Sequence, residues 1–146
     1  AAMEGSRLIE VAALLLRTEL CVRFIAHALL MYLVFTPAGT VRFFESLGLP
    51  GPLAYLTIAA ELVGGVMLVL GAYTRVVALA LVPVLLGAAW AHSGNGWLFT
   101  SPNGGWEYPV FLAIAGIAVG LIGGGRFALR SGTPLQRAGF RLQRAD

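Results

Sequence analysis

Four runs of apolar residues, at 20–35, 53–73, 76–91 and 108–123, leave this chain very few folds to adopt. Each is near the roughly 17–25 residues that cross a bilayer as a helix, and a helix satisfies its own backbone polar groups where no water can. Hydrophobic residues make up 58% of the 146 and charged ones only 12%, too little polar surface for a soluble domain of this size to cover itself. The expected class is therefore all-α, an integral membrane four-helix bundle. Little more than Thr74 and Arg75 separates the second and third runs, which calls for a tight antiparallel hairpin. Pro109 suits the first turn of the fourth helix, and Pro83 is expected to kink the third. Gly116, Gly120 and Gly124 fall four apart and predict a close packing face.

All ten basic residues are arginines, and their placement predicts the orientation. With four spans, Arg7, Arg17, Arg75, Arg126, Arg130, Arg137, Arg141 and Arg144 share one side, whereas the opposite loops hold Arg42. Arginine-rich loops stay in the cytoplasm, so both termini are expected there, in a bacterial-type inner (cytoplasmic) membrane. Residues 7–16 should extend the first helix inward, the first span serving as an uncleaved signal anchor. The transmembrane domain is read as residues 1–130, followed by a basic cytoplasmic tail at 131–146. In that tail Thr133, Pro134 and Gln136 form a capping pattern that predicts a short interfacial helix. Its arginines suit anionic lipid or a partner protein, and no nucleic acid partner is expected. The single cysteine, Cys21, excludes an internal disulfide and reads as a small core residue.

On the other side, "TVRFFESLGLPGP" predicts a short interfacial helix with Thr40 as N-cap, Phe43, Phe44 and Leu47 at the interface, and Gly48 as its stop. "HSGNGWLFTSPNGGWEYP" carries turn signals at Asn95-Gly96 and at 102–105, with Trp97 and Trp106 placed as interface anchors.

Within "AAELVGGVMLVLG" stands Glu61, a carboxylate whose insertion near a span centre costs roughly 2.5–3.5 kcal/mol. Eight residues of helix put it roughly 12 Å below the outer end of its span. His27 lies eight residues below Phe35, at about the same level. Glu19, Arg23 and His27, spaced four apart, form one polar stripe on the first helix. In the plainer account Glu19 pairs with Arg23, which reaches toward the cytoplasm, and Glu61 bonds His27 to lock the bundle. In the functional account the group lines a polar pocket, open toward the outer leaflet, that binds a polar head group and exchanges protons. His92 sits roughly 12 Å away from His27 in depth, too far to share one iron, and one histidine with one acid is a thin metal site. No haem or metal is expected.

The stretches "AAELVGGVMLVLGAYTRVVAL", "GAAWAHSGNGW" and "GGWEYPVFLAIAGIAVGLIGGGRFAL", with "LLLRTELCVRFIAH" before them, resemble the DoxX family of small four-helix membrane proteins. The resemblance covers residues 14–129 and is carried by E-L-x-G-G, T-R and G-G-W-E; many relatives have Gly and Lys where Ala28 and Met31 stand. It implies a membrane subunit of an oxidoreductase assembly, including the thiosulfate:quinone type, which passes electrons toward quinone. On that footing His27 and Glu61 are the candidate catalytic pair. Arg23, His27, Glu61 and His92 would surround a quinone head group, with His27 donating to a quinone oxygen and Glu61 handling the proton. Lacking a redox centre of its own, such a subunit depends on partner proteins for electrons. The alternative is a non-catalytic structural or assembly subunit of a larger complex, for which the glycine face, aromatic loops and basic tail suffice.

Overall fold

The computed structural model describes residues 2–129, so Arg130, the basic tail and its expected interfacial helix lie outside the described residues. Every regular element among those residues is helical. Helix α1 (Ala2–Leu29) runs into a π-turn (Leu30–Val34), and is followed by α2 (Pro37–Ser46), α3 (Pro52–Leu70), α4 (Thr74–Ala91), a short 3-10 turn (Ser93–Asn95) and α5 (Glu107–Ile122). The early part of α1 does extend the first apolar run, as its sequence predicts.

Among the described residues two helices, Pro52–Leu70 and Thr74–Asn95, are long and apolar enough to cross a membrane, and α1 with its π-turn makes a third if it is taken together with α2 across a 100° bend. Helix α5 is apolar but shorter, at 16 residues. This is a helical membrane protein. Helix α1 packs on α3, α3 on α4, α4 on α5, and α5 returns to α1. Leu20, Phe24, Leu68, Leu81, Leu112 and Val119 fill the space between them. Two of the three predicted glycines make the α4–α5 contact: a methyl on Gly116 would come within 3.3 Å of Val82 Cγ2, and one on Gly120 would run into Leu79, whereas Gly124 falls past the end of α5 and lies against Thr74 and Ala128.

Arg17 sorts with the cytoplasmic arginines by charge count, yet it is only 3% exposed. Its Nη1 donates to the carbonyls of Leu68 (3.1 Å) and Val69 (3.2 Å), and its Nη2 to that of Arg126 (3.0 Å). The guanidinium thus meets carbonyls of the last turn of α3, the negative pole of that helix, and ties α1 to the segment after α5. Arg75 does similar work at the end of α5, with Nη2 donating to the Ile122 carbonyl at 3.3 Å.

Gly71 closes α3 in the left-handed region (φ 69°), its N–H on the Leu68 carbonyl and that of Ala72 on Met67. An added methyl there would collide with Arg17 Nη1 and Ala128. Gly71→Ala should therefore cost about 1–3 kcal/mol, combining backbone strain with displacement of a buried cation, and lower the thermal midpoint followed by helical circular dichroism in detergent.

The short helix after the first span starts earlier than its sequence suggests. Thr36, not Thr40, is the N-cap, its Oγ1 accepting from Gly39 N at 3.2 Å, with Pro37 at the first helical position. Thr40 is buried inside α2 and donates to the carbonyls of Met31 (3.1 Å) and Thr36 (2.8 Å). Gly48 does follow the end of the helix, with a positive φ of 80°.

Candidate functional site

The level predicted for Glu61 and His27 brings them into contact: His27 Nδ1 lies 2.7 Å from Glu61 Oε2. Glu61 sits on the buried stripe of α3 with Ala54, Ile58, Gly65 and Leu68, and is 3% exposed. Gly65, one turn on, sets the approach of α1, because a methyl there would lie 2.7 Å from Ile25 Cγ1. Any side chain at that position would crowd α1 next to the His27–Glu61 bond, one turn away on α3. Each member offsets the desolvation of the other, and removing one would strand its partner in apolar surroundings. Glu61 occupies Nδ1, so Nε2 is the ring atom left for other company. His27 keeps 28% of its side chain accessible.

That access is to a cavity of about 990 Å³. Arg23, His27 and Glu61 line its deep part; α2 contributes Thr40, Phe43, Phe44 and Leu47, so these aromatics border the chamber, Phe43 while still 46% exposed. Below it α3 and α4 close at Gly64, where a methyl would lie 2.7 Å from Leu81 Cδ1. Pro83, Gly87 and Trp90 of α4 line the chamber and are also exposed, so it opens at the surface along that helix. A methyl on Gly87 would meet nothing within 4 Å.

His92 lines the same chamber from the end of α4. Its Nδ1 donates to the Ala88 carbonyl (2.9 Å), which leaves Nε2 with the lone pair in the neutral ring. Above it, Asn95 Nδ2 donates to the carbonyls of Gly104 (2.8 Å) and Asn103 (3.2 Å), and Trp97 and Trp106 stack edge to face at 4.4 Å. The two tryptophans therefore clasp the loop between α4 and α5 by packing on each other. Gly105 passes so close to the Leu98 carbonyl that no side chain fits there.

Arg23 departs from the plainer expectation. Among the described residues it forms no ion pair with Glu19, which is exposed. Its guanidinium lies over the ring of Tyr108, 5.2 Å from the centroid, in the first turn of α5. The opposite end of α5 is the one beside Arg17 and Glu10, so Arg23 reaches away from that end. Tyr108 falls within "GGWEYP", where no local pattern marks it as a partner for Arg23. Cys21 is buried, its Sγ on the Thr18 carbonyl at 3.0 Å, in keeping with a core residue.

A helical membrane protein with an acid–histidine pair at the deep end of an open apolar chamber is the class that fold and site define. The chain belongs to the DoxX family, whose family model matches residues 12–94, a stretch that includes Arg23, His27, Glu61 and His92 but stops short of Tyr108. It is 39% identical over 79 residues to a Bacillus subtilis (strain 168) protein named "Putative oxidoreductase CatD", an alignment covering 54% of this chain and 58% of that relative. The chain thus spans a little over half the length of the curated relative it matches. No solved structure matches it.

Proposed function

We propose that α1, α3, α4 and α5 all cross a bacterial inner membrane as a four-helix bundle with both termini cytoplasmic, and that the protein is the membrane subunit of an oxidoreductase assembly. The chamber holds a quinone head group, and partner proteins deliver the electrons. The observation that carries this reading is the His27–Glu61 hydrogen bond at the deep end of an open apolar cavity. Ionisable groups at such depth commonly mark a proton or ligand site, and a large apolar pocket with few convergent polar groups is the usual form of one. The family and the name of the curated relative point the same way.

Reduction of a quinone takes up two electrons and two protons. In its imidazolium form His27 donates from Nε2 to the ring oxygen while Nδ1–H remains on the Glu61 carboxylate, so the proton leaves from a ring that the acid orients and stabilises. Glu61 then holds the remaining Nδ1 proton in place, and the ring, reprotonated at Nε2 from water, delivers the second proton in the same way. The aromatic walls from α2 suit a flat ring. The opening along α4 lets an apolar tail remain in lipid.

Gly87→Phe tests the chamber. The new ring has open space to enter and replaces a glycine in a helix, so folding should be kept while the cavity is filled. Quinone-dependent turnover in membranes should fall by about tenfold or more, equivalent to at least ~1.4 kcal/mol of lost binding. Undiminished turnover at matched protein levels would remove the chamber from the reaction. That result would favour the non-catalytic subunit, a reading supported by the exposed Leu8, Ile9 and Leu15 on the early part of α1, which offer a partner an apolar surface.

A further inference from the structure

Two inward arginines six residues apart on α1 keep very different company. Arg17 engages both terminal nitrogens with three backbone carbonyls, leaving just its Nε unbonded. Arg23 makes no hydrogen bond and no ion pair among the described residues; its Nε is buried without a partner, and its one contact of note is the face of Tyr108. Cation–π stacking uses the flat face of a guanidinium, so the edge that carries five N–H donors is left unmatched. Of those donors Nε is buried without a partner, and a charged donor left unmet in that way is unfavourable. Arg23 lines the chamber, so the direction in which an acceptor can reach that edge is from the cavity.

Charge points to what the acceptor is. Glu61 is the one carboxylate among the described residues lining the chamber, and its Oε2 is committed to His27, with no ion pair to Arg23. No oxygen of Glu61 lies within ion-pair distance of Arg23, so the guanidinium charge faces the chamber without a carboxylate beside it and stands there in excess. An anionic oxygen fits that excess, and an arginine fork is suited to a two-oxygen anion.

We infer that the quinone-type ring this chamber selects is an amphiphilic monoanion, carrying a carboxylate or similar acidic oxygen group that Arg23 binds. Tyr108 is a positioning residue that holds the guanidinium face so that its edge meets the ligand. The inference rests on the chamber being a ring-binding site, and names the class of ring it selects.

The test compares 3-hydroxy-2-naphthoate with its methyl ester, which has the same ring and no charge, for binding to the protein in phosphatidylcholine nanodiscs, with empty nanodiscs subtracted. The acid should bind about tenfold or more tighter than the ester, as expected for charge-assisted hydrogen bonds in a poorly hydrated site. Arg23→Met should bring acid and ester to within about twofold, largely by weakening the acid, whereas Arg23→Lys should keep part of the preference. Persistent ester binding shows that the Met variant is folded. Equal binding of acid and ester to the unaltered protein, or a preference that survives Arg23→Met, overturns the inference while leaving the chamber as a ring site. Failure of both ligands to bind, or binding of both that Gly87→Phe does not reduce, overturns the ring-site reading itself.

Discussion

Glu61→Gln will lower quinone reduction in native membranes by about 100-fold or more while leaving the amount of protein unchanged, because positioned acid–base groups contribute about 10²–10⁴ in rate. Glutamine has nearly the shape of the acid, and its carbonyl oxygen can still accept from His27 Nδ1–H across the same 2.7 Å. The imidazole therefore keeps its orientation. What it loses is the negative charge that stabilises the imidazolium, and with it the form of His27 that carries a proton on both nitrogens. The loss should fall on the maximal rate more than on the quinone concentration needed to reach half of it, since ring contacts with the walls are untouched. Normal turnover with normal protein levels would show that the pair is a structural lock.

Arg17→Leu should be the opposite kind of lesion, one that removes the protein rather than its chemistry. Three backbone carbonyls lose charged donors at once, those of Leu68 and Val69 at the end of α3 and that of Arg126 after α5. Each such bond is worth about 1.5–3 kcal/mol, and shared losses do not add fully, so a total of about 3–5 kcal/mol is expected. The thermal midpoint in detergent should fall steeply and accumulation in membranes with it. Arg17→Lys should recover part of the loss, because one ammonium can reach the α3 carbonyls but cannot fork to Arg126 as well. A midpoint unchanged in the leucine variant would mean that α1 is held without this clamp.

These two outcomes also mark where the sequence could be read and where it could not. Apolar length and depth arithmetic suffice for the His27–Glu61 contact, because a helix advances by a fixed rise and an acid in hydrocarbon needs a partner. Arg17 was open to the same treatment: Ala13, Arg17, Leu20, Phe24 and Ala28 share the buried stripe of α1, and that spacing argues for burial where a charge count argues for exposure. The direction of Arg23 was not legible, since it depends on where α5 begins and on a tyrosine 85 positions away, which no local pattern encodes. The start of α2 was signalled by Thr36 before Pro37, an N-cap followed by a first-turn proline, and was masked by a second threonine with equal capping chemistry. The cavity itself arises from the absence of side-chain volume at Gly87 and from the turn of α2 across the helix ends, properties of the assembled helices.

The π-turn at Leu30–Val34 has a bearing on how the outer wall came to face inward. Such a turn is an α-helix that has absorbed one surplus residue, and Thr40 takes up the Met31 carbonyl that the wider winding exposes. Excising a single position from this segment would restore ordinary winding and swing everything after it by roughly 100° about the helix axis. His27 and all that precedes it would stay where they are, while Phe35 and the aromatics of α2 would face elsewhere. A one-residue insertion or deletion is thus a discrete step by which homologous chains could trade one roof for another over an unaltered acid–histidine floor.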